Sequence, residues 1–164
     1  MNKIELGKEY EIKVGEFNNV PILLQKDDIR AMLTDIIDGD GSTYWCDSCI
    51  IKKEAEIPIP HDSGYEPEAE TLANGGTLEF SLIEPFEDYE ENGEIKEIEN
   101  YELTLDKLIH AVEMVLSTMD DIDRRNILEY DKVNEKCYLD MSMVDGVMDD
   151  NILQTALFND IVFG

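Results

Sequence analysis

The sequence predicts an α+β fold: a single compact domain of mostly antiparallel sheet, with about three helices and an acidic hairpin. Three patterns carry this expectation. Apolar residues alternate with polar ones at Tyr10, Ile12 and Val14 and again at Leu78, Phe80 and Leu82, the period of half-buried strands. Ile29, Met32, Leu33, Ile36 and Ile37 recur at helical spacing, as do Leu105, Leu108, Ile109, Val112, Val115 and Leu116. Asn92-Gly93, a strong hairpin turn signal, sits inside a run of acids.

Taken in order, the chain opens with a strand through Tyr10–Val14 and turns at Asn18-Asn19. It returns as a short strand from Val20 to Leu24, where Pro21 implies an edge position or the start of the strand. Asp27 is the expected N-cap of the first helix, with Asp28 favourable to its dipole, and Gly39 and Gly41 end it. A strand is expected from Thr43 to Ile51, then a loop through Pro58, Pro60 and Gly64. Glu66 to Asn74 reads as a short helix stopped by Gly75-Gly76, and Thr77 to Ile83 as a strand. Beyond Asn92-Gly93 the returning arm spans Glu94 to Leu103, without strict alternation. Thr104 caps the Leu105–Leu116 helix. Asp120 to Tyr130 reads as a loop or short helix, Cys137–Leu139 as a strand, Asp149 to Phe158 as a helix and Ile161–Phe163 as a docked terminal strand.

Charge is the most informative feature of the composition. The 164 residues carry 39 acidic and 13 basic side chains, a net charge of -26. Residues 54–106 hold 17 of the acids against a single base, Lys96. Such a field repels nucleic acids and anionic membranes and seeks basic surfaces. With 43% hydrophobic residues the chain still affords a core. The polar start Met1-Asn2-Lys3-Ile4-Glu5 is not an export signal, and three cysteines suit a reducing compartment, so a cytoplasmic location is expected.

Local motifs offer little chemistry. Cys46-x-x-Cys49 has the spacing of a zinc or dithiol turn, but His61, His110 and Cys137 do not form a second ligand pair. On a regular strand the two thiols would also point to opposite faces. Asp38, Asp40 and Ser42 alternate like the start of a calcium loop, yet Thr43 and Cys49 stand where its glycine and closing glutamate belong. Neither histidine has a catalytic setting, and no metal or cofactor is implied. Arg124-Arg125 offers an anion site, or a solvated pair offsetting Asp120, Asp121 and Asp123. The expectation is a binding protein rather than an enzyme.

The binding element is expected in the acidic hairpin. Glu84, Glu87, Asp88, Glu90, Glu91, Glu94, Glu97 and Glu99 place eight carboxylates in sixteen positions. On a β-ribbon, same-face residues repeat every ~6.6 Å and strands lie ~4.8 Å apart. That lattice approaches the phosphate spacing of one DNA strand, roughly 7 Å, so the hairpin could meet lysines and arginines that expect phosphates. A surface serving only solubility and a cation-binding surface are the competing readings.

Four segments carry a family resemblance: Asp38-Gly39-Asp40-Gly41 followed by Tyr44-Trp45-Cys46; Gly75-Gly76-Thr77-Leu78; Leu103-Thr104-Leu105-Asp106-Lys107; and Asp150–Phe158 with Ile161-Val162-Phe163-Gly164. In this order they resemble a family of uncharacterised proteins of phages and mobile elements. In that pattern a Gly-Gly pair leads into Tyr-Trp-Cys and a Gly-Glu pair follows Ala-Leu-Phe, where this chain has Asp40-Gly41 and Asn159-Asp160. The resemblance brings no reaction or ligand. It implies a phage product, and with the charge it implies an inhibitor of a host defence enzyme of the CRISPR or restriction type, bound at its basic nucleic-acid groove. Sequestration of a nucleotide immune signal and a phage structural or accessory role are the alternatives.

Overall fold

The computed structural model describes residues 4–39, 44–60 and 63–164. The turn through Asp40–Thr43, with its calcium-like spacing, and His61 lie outside the described residues.

Strands β1 (Glu11–Phe17) and β2 (Val20–Gln25) form the first hairpin, with Asn18 and Asn19 both at positive φ in its turn. Helix α1 (Lys26–Asp38) follows without a linker. It begins before the expected Asp27 cap: Gln25 takes the cap position, and its N–H donates to the Asp28 carboxylate at 2.8 Å. Next come β3 (Cys46–Lys53), α2 (Pro67–Ala73) and β4 (Thr77–Leu82). The acidic segment gives β5 (Asp88–Glu91) and β6 (Glu94–Glu97), then β7 (Asn100–Leu103). The chain closes with α3 (Leu105–Thr118), α4 (Asp121–Ile127), β8 (Leu128–Asp131), β9 (Lys136–Leu139) and α5 (Gly146–Phe158).

The architecture is α+β, and the described residues form three long helices and two of seven residues. One sheet has the order β1-β2-β9-β8, a second β3-β4-β7, and β5-β6 stands as a separate ribbon. All pairings are antiparallel except β2 with β9. Pro21 therefore does not mark an edge, because β2 lies between two neighbours. It is tolerated because the β9 pairing begins one residue later, at Ile22.

Three other expectations are corrected. Within Asp120 to Tyr130 the short-helix reading holds for Asp121–Ile127, but the chain then runs straight into strand β8, which takes Leu128, Glu129 and Tyr130. The arm expected from Glu94 to Leu103 breaks at Ile98-Glu99, where the chain leaves the ribbon and joins β4 as β7. That change of partner sheet is why its apolar residues do not alternate. Finally, Ile161–Phe163 is docked but is not a strand.

Helix α5 explains the docking. It starts at Gly146, earlier than expected, because Asp145 caps it through the Met148 N–H at 2.8 Å. It packs against both α1 and α3, so residues all round it are buried, including Asp149, Asp150, Gln154 and Thr155. The fully buried Gln154 side chain acts as a short strand for the tail. Its Oε1 accepts from Val162 N and Phe163 N at 2.9 and 2.7 Å, and its Nε2 donates to Phe163 O at 2.9 Å.

Candidate functional site: the acidic hairpin

The β5-β6 register assigns each carboxylate to a face. Asp88 faces Glu97, Tyr89 faces Lys96, Glu90 faces Ile95 and Glu91 faces Glu94. Residues directly opposed share a face, and faces alternate along each strand. One face therefore carries Asp88, Glu90 and Glu97 around Ile95, with no cation. The other carries Tyr89, Glu91, Glu94 and Lys96, and here Lys96 partly offsets Glu91 at 3.3 Å.

The eight expected carboxylates thus do not form one lattice. Three lie together on the uncompensated face, and Glu91 and Glu94 lie behind them. Glu84, Glu87 and Glu99 fall outside the ribbon strands. Glu87 belongs to the ribbon's base: its carboxylate accepts from the Tyr101 hydroxyl at 2.7 Å, and its carbonyl accepts from Ile98 N at 2.8 Å. Glu99 serves the base through its carbonyl, which accepts from Leu82 N at 2.8 Å.

An isolated two-stranded hairpin is marginal in water, and like charges directly opposed weaken it further. This one has two such pairs, Asp88–Glu97 and Glu91–Glu94. Its stability comes from the turn and the base. Gly93 supplies a φ of +83° and Asn92 one of +54° at the tip. At the base, Phe86 stacks on Tyr101 at 6.1 Å between centroids and meets Phe158 and Phe163 edge-on at 5.1 and 5.7 Å. Phe163 in turn stacks on Trp45 at 5.5 Å. The Trp45 indole donates to Asp150 at 2.7 Å, and the Tyr44 hydroxyl lies 2.9 Å from the Phe163 carbonyl.

This aromatic node gathers residues from the turn before β3, the hairpin base, β7, α5 and the tail. Sequence reasoning missed it because Phe86, Tyr101, Phe158 and Phe163 lie far apart in the chain. Two of the four family-like segments, Tyr44-Trp45-Cys46 and the C-terminal run, meet in it. The other two also have structural duties. Thr104 caps α3 by accepting from Lys107 N at 3.3 Å, and the Gly75-Gly76 turn leads from α2 into β4. A Cβ on Gly76 would approach the Lys53 carbonyl oxygen to 2.6 Å.

The remaining motif residues are placed as follows. His110 is exposed on α3. Arg124 is held by Asp121 at 2.7 Å and lies over Phe17, whereas Arg125 is exposed at the border of a groove that Phe17, Val20 and Tyr130 also line. Arg124 and Arg125 are therefore not a joint anion clamp. Among the described residues, no three His, Cys, Asp or Glu side chains gather to hold a metal ion.

The cysteine pair departs from expectation. The β3-β4 register shifts between Cys46 and Ser48, so Cys46 faces Leu82 and Cys49 faces Phe80. Leu82 and Phe80 are both buried on one side of β4, so the bulge brings the two thiols to the same face. Burial pushes the Cys46 thiol up to about 11 and the Cys49 thiol up to about 12, with neighbouring Asp47 and Glu68 adding to it.

No protein-family model, curated protein or solved structure matches the chain. Among the described residues, no helix is long and apolar enough to cross a membrane.

Proposed function

We propose that the chain is a binding protein that docks its acidic hairpin in the basic nucleic-acid groove of another protein, as an inhibitor of a host defence nuclease would. The observation that supports this most is the uncompensated face of the ribbon. Asp88, Glu90 and Glu97 surround Ile95, which is 78% exposed. Folding gains nothing from these charges: Asp88 and Glu97 repel across the ribbon, and Ile95 buries little surface. The pattern suits an interface with an apolar contact inside a charged rim. Asp88 and Glu90 stand ~6.6 Å apart along one strand, close to the phosphate repeat that a basic groove is built to receive.

A charge of -26 disfavours nucleic acid itself as the ligand and speeds encounter with cationic surfaces. The phage-like segments add the setting in which such an inhibitor is useful.

Capture from a bacterial lysate on the immobilised chain tests the reading. The expected result is a nucleic-acid-binding enzyme that is released by raised salt and by added duplex DNA, and that is not retained by Asp88→Lys/Glu90→Lys/Glu97→Lys protein. Retention that is indifferent to DNA, or equal on the reversed hairpin, overturns it.

A further inference from the structure

The bulge in β3 leaves a pair of thiols that the hairpin reading does not use. Cys46 and Cys49 are both partly buried and border one cavity of about 220 Å³, lined on its apolar side by Ile36, Ile37 and Phe80 and on its polar side by Asp47 and Ser48. The Cys46 thiol lies 3.5 Å from the Ser48 carbonyl, so its sulfur leans along the strand toward Cys49. Neither cysteine is in a disulfide.

Spacing decides what such a pair can hold. Their partners Leu82 and Phe80 are two residues apart, so the cysteines stand side by side at ~6.6 Å. A disulfide needs Cβ atoms roughly 3.8 Å apart, which parallel side chains at that separation do not reach. A bridging metal is less demanding. Two metal–thiolate bonds of about 2.3 Å span about 4.6 Å in a line, a gap that rotation of the two side chains closes. Zinc requires four ligands, and among the described residues no third His, Cys, Asp or Glu joins the pair. An apolar wall with two sulfurs suits a soft cation of low coordination number.

We propose that Cys46 and Cys49 form a two-thiolate site for a soft monovalent cation of the copper(I) class. Binding is ligand exchange without a redox step: two S–H bonds break, two S–metal bonds form, and two protons leave to solvent. Because each copper bound releases two protons, uptake strengthens as pH rises. The site is independent of the hairpin and of its partner.

The test offers copper(I), as its bicinchoninate complex, to the reduced full-length protein without oxygen. One copper per chain is expected to be withdrawn. Outer-shell losses alone cost ~10–100-fold in metal affinity, so C46S or C49S, each removing one of two ligands, lowers it by at least ~100-fold. C137S leaves it unchanged, and zinc offered from a chromophoric chelator stays with the chelator. Trp45 emission reports whether each variant is folded. Should the serine variants not fold, copper X-ray absorption on the wild-type protein decides, with two sulfur neighbours expected. No copper uptake, uptake unaltered in folded C46S, zinc held as readily, or a nitrogen and oxygen shell around copper each overturns the proposal.

Discussion

Replacing Asp149 with asparagine is expected to stabilise the protein, and by more at higher pH. Asp149 is 3% exposed at the start of α5, and its Oδ1 has no hydrogen-bond partner. Burial, with Asp35 and Asp145 as like-charged neighbours, raises its pKa from 3.8 to about 7. The unfolded chain releases this proton near 3.8, whereas the folded protein keeps it until about 7. Between those values the folded state binds more protons, so stability falls as pH rises. The contribution is complete below the lower value and gone above the upper one. The interval of roughly three units, at ~1.4 kcal/mol each, amounts to ~4 kcal/mol. An asparagine side chain cannot ionise and escapes the loss. Urea denaturation of the wild type and Asp149→Asn at about pH 5 and about pH 8 reads the effect, and the advantage of the variant is expected to grow by ~3 kcal/mol between them. Asp28, raised to about 6 by burial, titrates in the same interval, but comparing the two proteins at each pH cancels it. A gap that stays constant from pH 5 to pH 8 would refute the reasoning.

Other expectations follow from single contacts. Gln154→Leu removes three hydrogen bonds to the tail, worth ~2–4 kcal/mol together, and frees Phe163 from Trp45. Because Trp45 is the only tryptophan, its emission should shift to the red before global unfolding; an unshifted spectrum contradicts the docking. Gly76→Ala drives a Cβ into the Lys53 carbonyl and the Thr71 methyl, so a loss of ~2 kcal/mol or more is expected in thermal melts. Glu97→Lys turns the repulsion with Asp88 into attraction. The ribbon amides should gain hydrogen-exchange protection equivalent to ~1 kcal/mol while partner binding falls. A variant that binds as well as the wild type would separate the charge from the function.

The sequence carried much of this architecture. The stripes of α1 and α3 and the alternation of β1 and β4 are local patterns of apolar residues, and each marks an element of the structure. The turn at Asn92-Gly93 was equally legible, because positive φ restricts the residues that fit. What was hidden depends on partners distant in the chain. Gln154, Asp149 and Asp150 read as surface residues until α5 is seen packed between α1 and α3. The tail reads as a strand because Ile161, Val162 and Phe163 run together as apolar residues, but Ile161 and Val162 are exposed and side chains of α5 hold the segment instead of a neighbouring ladder. The β3 bulge is invisible to a strict period of two, and it alone places Cys46 and Cys49 together. In the candidate site, the abundance of acids was plain from composition. Their division between the two faces required the register.

The central claim is that the face carrying Asp88, Glu90 and Glu97 is the docking surface. The most direct measurement is the affinity of the purified partner for two reversed proteins in one buffer. Asp88→Lys/Glu90→Lys/Glu97→Lys should abolish binding, whereas Glu91→Lys/Glu94→Lys, on the opposite face, should weaken it only through the lost long-range attraction. Equal losses would mean that net charge alone matters, and undiminished binding by the first protein would place the interface elsewhere.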